Sequence, residues 1–292
     1  MSAAPAGHGI ERIGVVGSGI MGVGIAELCA KAGCDVRVAV SSDRSLQSGP
    51  ARVARSLDRA VTKGKISAEH RDAALARITF TRDLGELGDR QLVVEAVKED
   101  EALKLDLFSA LDKIVESPDA ILATNTSSLS VARLAGATGR PGNVVGLHFF
   151  NPAPVLPLVE IVDSIMTDPQ VSMRAEDFVV GRLGKSAVKS PDRAGFLVNA
   201  LLFPYLLSAI RMVDAGLVTA EVVDRGMTLG CSHPLGPLQL VDLIGLDTTV
   251  AIAEAMYGEF KEPLYAPPAL LLRMVEAGLL GKKSGRGFYV YA

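Results

Sequence analysis

Tryptophan is absent from this 292-residue chain and aromatic residues make up only 5% of it. Its core must therefore be built from Val, Leu, Ile and Ala. Cysteine is scarce. Cys29, Cys34 and Cys231 form no paired framework and no CxxC motif occurs, which speaks against a disulfide scaffold or structural zinc and for a reducing compartment. Neither charge dominates, with 30 Lys and Arg against 33 Asp and Glu for a net charge of −3. The basic surplus of a nucleic-acid binder is missing. Long apolar runs are missing too. The most apolar stretch, Phe196–Ile210, is short for a membrane span and is interrupted by Asn199 and Pro204, so it predicts a buried helix. The opening residues MSAAPAGHG carry neither a positive region nor an apolar signal core. Together these absences predict a cytoplasmic protein with no membrane and no nucleic-acid partner.

What is present is an ordinary globular composition, 49% apolar and 22% charged. A chain of this mass buries about 70–75% of its extended surface on folding, ample for a core without staples. Short apolar strands at Arg12–Val16, Val36–Val40, Ile78–Phe80, Leu92–Val94, Ile121–Thr124, Val144–Leu147, Leu158–Val162 and Ala187–Val188 alternate with helical patterns. Those helices fall at 45–62 and 67–75, from Leu103 to a stop at Ser117-Pro118, and near 169–182. This alternation predicts an α/β fold with a mostly parallel sheet covered on both faces. Beyond Ser190-Pro191-Asp192 the pattern turns helical, with helices expected at 195–216, 219–229, 237–257 and 267–277 and one late strand at Phe288–Tyr291. The expected division is a dinucleotide-binding domain over 10–190 and a helical domain over 191–292.

Gly17-x-Gly19-x-x-Gly22 lies where the first strand turns into a helix. Gly17 permits the tight turn, Gly19 lets a pyrophosphate approach the backbone, and Gly22 lets helix and strand pack closely. Phosphates then rest on the N–H groups at the helix start, Ile20 and Met21 among them. The motif's usual partner is an acidic residue ending the second strand, where it binds the adenosine ribose. Here that position is Val40, followed by Ser41-Ser42-Asp43-Arg44. Asp43 could swing back to the ribose and preserve NAD. Alternatively, Ser41, Ser42 and Arg44 could cradle the 2′-phosphate of NADP, because arginine offers a planar donor fork. A third reading makes these residues the cap of the next helix. A nicotinamide cofactor is expected, with NAD slightly favoured over NADP.

Two further segments lie just beyond carboxyl ends of strands, where open α/β sheets bind ligands. They are Asn125–Ser130, sequence NTSSLS, and Gly146–Pro152, sequence GLHFFNP. His148 suits a base that removes an alcohol proton as hydride departs. Glu160, twelve residues on in an apolar run, suits the orientation of that histidine. A packed core histidine and a rim glutamate remain the rival readings at these two positions.

These stretches resemble the short-chain L-3-hydroxyacyl-CoA dehydrogenase family, and within it the bacterial 3-hydroxybutyryl-CoA dehydrogenases. So do GSGIMGVGIA (17–26), AGFLVNALLFPYL (194–206), HPLGPLQLVDLIGLD (233–247) and KKSGRGFYVY (282–291). The resemblance runs through nearly the whole chain in order. It implies a Rossmann-like domain followed by an all-helical domain that completes the substrate cleft and carries a homodimer contact. The implied reaction is reversible oxidation of an acyl-CoA thioester, a (S)-3-hydroxyacyl-CoA, to the 3-oxoacyl-CoA. It assigns His148 as catalytic base and Glu160 as its partner, with Ser127 and Asn199 as donors to the substrate oxygen. Glu95 and Asn151 are placed on the nicotinamide side of the cleft, and Lys63 near the coenzyme A phosphates, where a plain solvated charge is the alternative.

The chain departs from the family pattern at Val40, at Pro157 where a lysine is commoner, at Ala194 in place of proline and at Ala200 in place of arginine. None of these removes a catalytic group. The rival reading within the superfamily is a dehydrogenase of a free hydroxy acid such as L-gulonate, which needs no coenzyme A pocket.

Overall fold

The computed structural model describes residues 9–291; most of the MSAAPAGHG stretch lies outside the described residues. The chain forms two compact units, one ending at Asp192 and the other starting at Arg193.

The first unit runs β1 (Arg12–Val16), α1 (Ile20–Lys31), β2 (Asp35–Ala39), α2 (Asp43–Thr62), α3 (Ala68–Leu75), β3 (Ile78–Thr81), β4 (Leu92–Glu95) and α4 (Glu101–Ile114). It continues with β5 (Ile121–Thr124), α5 (Val131–Gly136), β6 (Val144–Phe149), β7 (Leu158–Asp163), α6 (Pro169–Asp177) and β8 (Ser186–Pro191). The strands form one sheet in the order β3-β2-β1-β4-β5-β6-β7-β8. Every neighbouring pair is parallel except β6 with β7. Residues 150–157 are too few for a crossover helix, so β7 returns antiparallel beside β6. Strands β4, β5 and β6 are buried at every residue, which is why their sequences read as continuous runs rather than alternations. The strand order reverses between β1 and β4, which opens a crevice above the carboxyl ends of the strands.

Two helix ends differ from expectation. Helix α4 stops at Ile114, before Ser117-Pro118, and the Arg140 guanidinium donates to the carbonyls of Asp112 and Val115 at the helix end and of Ser117 just beyond it. Helix α6 gives way after Asp177 to a wider π-helical turn over Phe178–Arg182.

The second unit consists of α7 (Val198–Asp214), α8 (Ala220–Gly230), α9 (Pro237–Ile244), α10 (Leu246–Phe260) and α11 (Ala269–Glu276) around its own aliphatic core. The single helix expected over 237–257 is broken at Gly245, whose φ of +101° no continuing helix tolerates. The strand expected at 288–291 does not form. Two buried aspartates hold that tail instead. Asp242 accepts the N–H groups of Phe288 and Tyr289 and the Tyr291 hydroxyl, each at 2.9 Å, and Asp224 accepts the Tyr289 hydroxyl at 2.8 Å. Among the described residues no helix is long and apolar enough to cross a membrane.

Candidate active site

The glycine turn follows β1 at the crevice. Gly17 has φ +107°, and a Cβ there would meet the Ala96 carbonyl oxygen at 2.5 Å. A Cβ on Gly22 would sit 2.0 Å from the Gly17 oxygen, so helix and turn touch directly. Gly19 is the opposite case, since a Cβ there would meet nothing within 4 Å. Two glycines are thus required by packing, while the third leaves open space over the start of α1, beside the exposed Ile20 and the half-buried Met21. That open backbone is the shape a dinucleotide phosphate needs, and the turn fits the cofactor on this ground.

Beside it, the Gly17 N–H donates to the Ala39 carbonyl at 2.9 Å, which fixes the end of β2 against the turn. Val40 is buried there and offers no acceptor from its side chain. Ser42 is the N-cap of α2, accepting the Ser45 N–H at 3.2 Å, while Ser41 and Arg44 are exposed. Asp43 accepts from Arg82 at 2.8 Å in an exposed ion pair. The capping role therefore applies to Ser42, and the Asp43 carboxylate is paired with Arg82. A residue not anticipated from the sequence also reaches the turn. Arg52, in the third turn of α2, donates to the Ser18 carbonyl at 2.5 Å and to Ser48 Oγ at 2.9 Å.

His148 and Glu160 face one another across the single antiparallel pair of the sheet, as register partners on β6 and β7. Opposite residues on such a pair share one face, so the twelve-residue separation closes to a 2.6 Å contact between His148 Nδ1 and Glu160 Oε2. Glu160 is fully buried and His148 is 6% exposed. With Nδ1 held by the carboxylate, the tautomer is set and Nε2 becomes the nitrogen that can exchange a proton with a substrate. Phe150 packs at 4.6 Å from the imidazole and limits its rotation.

The loop after β5 carries Ser127 and is pinned along its length. Asn125 Oδ1 accepts the Phe149 N–H at 2.9 Å, which ties the loop to the residue after His148. Glu99 Oε1 accepts from the Thr126 hydroxyl, from the Ser128 hydroxyl at 3.2 Å and from the Ser127 N–H at 3.3 Å. Asp192 accepts the N–H groups of Val131 and Ala132 at 2.7 and 2.8 Å, clasping the start of α5. Lys104, almost fully buried, stands 2.6 Å from Glu99 and 3.2 Å from Glu95. Burial is the largest influence on the Glu99 carboxyl and opposes its ionisation. The Lys104 charge and the hydrogen bonds from Lys104, Thr126 and Ser128 together outweigh it and hold the group below the usual range.

Glu95 differs from the expected placement on the cleft wall. It is 0% exposed, and its oxygens accept the Val97 N–H and the Thr124 hydroxyl, both at 2.7 Å. It braces the sheet beneath the loop, and the carboxylate at the loop surface is Glu99. No local pattern marks Glu99 as holding this loop, because the loop groups that donate to it lie 27 to 29 residues away in sequence. Asn151 is exposed at a cis peptide bond with Pro152, and Lys63 is exposed at the end of α2. In the second unit, Asn199 is buried in the first turn of α7. Among the described residues no cluster of His, Cys, Asp and Glu could hold a metal ion.

The chain is similar to known proteins over nearly its whole length. Residues 12–193 match the family described as 3-hydroxyacyl-CoA dehydrogenase, NAD binding domain, and residues 195–291 match its C-terminal domain. A 3-hydroxybutyryl-CoA dehydrogenase of Mycobacterium tuberculosis is 57% identical over 97% of this chain and 99% of its own length. The human mitochondrial hydroxyacyl-coenzyme A dehydrogenase is 37% identical over 97% of this chain and 91% of its own. Among solved structures, M. tuberculosis FadB2 superposes with a TM-score of 0.96 at 57% identity, covering 97% of this chain and 99% of that one. The (S)-3-hydroxybutyryl-CoA dehydrogenase PaaH1 of Ralstonia eutropha gives 0.92 at 42% identity, covering 97% and 100%. A dinucleotide turn and a carboxylate-oriented histidine, on a chain matched from end to end in this way, leave one assignment: the chain belongs to the 3-hydroxyacyl-CoA dehydrogenase family.

Proposed function

We propose that the chain catalyses the reversible oxidation of a (S)-3-hydroxyacyl-CoA, 3-hydroxybutyryl-CoA in the first instance, to the 3-oxoacyl-CoA with a nicotinamide cofactor. The observation that carries this reading is the 2.6 Å contact from His148 to the buried Glu160 at a strand end. When bound, the nicotinamide supplies the hydride acceptor. His148 Nε2 removes the C3 hydroxyl proton, and Glu160 stabilises the imidazolium that results. Ser127 donates to the oxygen on which charge changes, so its contribution is largest in the transition state. Asn199 is assigned to the same oxygen on its motif, Lys63 to the coenzyme A phosphates and Asn151 to the nicotinamide side. In the reducing direction His148 returns the proton.

The test is reduction of acetoacetyl-CoA against oxidation of free hydroxy acids, L-gulonate included. Turnover confined to the thioester supports the proposal, and turnover of the free acid alone would replace it with the superfamily rival. Replacing His148 by Gln should lower turnover by roughly 10²–10⁴-fold with cofactor binding intact.

A further inference from the structure

We propose that the adenosine end of the cofactor site is built for a 2′-phosphate, with Arg52 as its fixed cation, so that the chain binds NADP(H) at least as tightly as NAD(H). This rests on the reading of the glycine turn as the dinucleotide site. Two features that enforce NAD are missing. The strand-end position next to the turn is the buried Val40, which supplies neither an acceptor for a ribose hydroxyl nor a charge to repel a phosphate. The carboxylate closest in sequence, Asp43, is matched by Arg82 at 2.8 Å, so its charge is offset.

What stands there instead is cationic and partly fixed. The Arg52 guanidinium is held on the turn itself by the Ser18 carbonyl and on its own helix by Ser48 Oγ. Because the Gly17 N–H binds Ala39, the turn and the end of β2 form one surface, and the adenosine ribose of a dinucleotide lies against that surface. Arg52 thus keeps the remaining N–H donors of its fork at the glycine turn, already held in place by Ser18 and Ser48 before any nucleotide binds. Ser41 and Arg44, exposed on the neighbouring turn, add a hydroxyl and a second mobile charge. A bare ribose uses none of this positive charge, whereas a phosphate uses all of it.

The experiment is direct binding of NADPH and NADH to the full-length protein without acyl-CoA, read by calorimetry or by the fluorescence of the bound reduced nucleotide. The wild type is expected to bind NADPH at least as tightly as NADH. Arg52→Gln should weaken NADPH by at least about tenfold and NADH by less than about threefold; a charge-assisted hydrogen bond is worth that much or more. Arg52→Lys keeps the charge without the fork and should give an affinity ratio between those of the wild type and Arg52→Gln. Weaker binding of NADPH than of NADH by the wild type would overturn the proposal. So would an equal effect of Arg52→Gln on both nucleotides, since Arg52 would then only brace the turn. Binding of neither nucleotide would overturn the dinucleotide reading as well, which acyl-CoA turnover tests separately.

Discussion

Glu160→Gln isolates the electrostatic and tautomeric work of the carboxylate at nearly constant shape. The wild-type contact is 2.6 Å long and Glu160 is fully buried, so no water screens the pair. The amide cannot balance an imidazolium. Its NH₂ can also donate to Nδ1, which would place the ring proton on Nε2, the nitrogen that must accept from the substrate. An equivalent carboxylate-to-amide change beside a catalytic histidine in serine proteases costs about 10⁴-fold in turnover. Here the expected loss in kcat is roughly 10²–10⁴-fold, or about 2.7–5.4 kcal/mol of transition-state stabilisation. Stability should behave differently. The variant removes a buried charge and leaves a histidine that can stay neutral, so no orphan charge remains and the change should be about 1 kcal/mol or less. Steady-state reduction of acetoacetyl-CoA, thermal unfolding and cofactor affinity measured together separate the two effects. Turnover within about threefold of wild type in a folded, cofactor-binding variant would refute the orienting role of Glu160.

The glycine turn and the buried lysine give two further expectations. Gly22→Ala drives a methyl into the Gly17 oxygen and should impair both folding and nucleotide affinity, whereas Gly19→Ala meets no protein atom and should leave stability within about 0.5 kcal/mol while weakening nucleotide binding; melting curves and nucleotide titrations check the contrast. Lys104→Met leaves Glu95 and Glu99 without their shared cation and should cost about 3–5 kcal/mol in urea unfolding at neutral pH. Because the Glu99 carboxyl is depressed in the folded state, its contribution to stability is complete above the ordinary value of 4.5. That contribution is lost as pH falls through the lower folded value. Wild-type stability should therefore decline on acidification through this window, and the Glu99 part of that decline should shrink in Lys104→Met.

Much of the molecule was legible in order of sequence. The strand–turn–helix unit around Gly17, the alternation that became the sheet, and the change of texture near Asp192 all depend on residues close together in the chain. Boundaries set by distant partners were not legible. Helix α4 ends where Arg140 donates to its last carbonyls, and the tail at 288–291 is bound by Asp224 and Asp242 rather than by a strand. The break at Gly245 was hidden because a glycine inside an apolar periodic run reads as helix until its φ is known.

The His148–Glu160 pair shows the division most clearly. Composition and pattern were sufficient to nominate a histidine and a glutamate, to place each at a strand, and to require phosphate-accepting backbone at the first turn. Only the antiparallel return of β7 decided that His148 and Glu160 stand opposite one another, because strand direction depends on what lies between the strands and on their neighbours in the sheet. The same holds for Glu99, which outranks Glu95 at the loop surface, and for Arg52 on the glycine turn. Each owes its position to contacts tens of residues away, and side-chain chemistry along the chain carries no record of such distances.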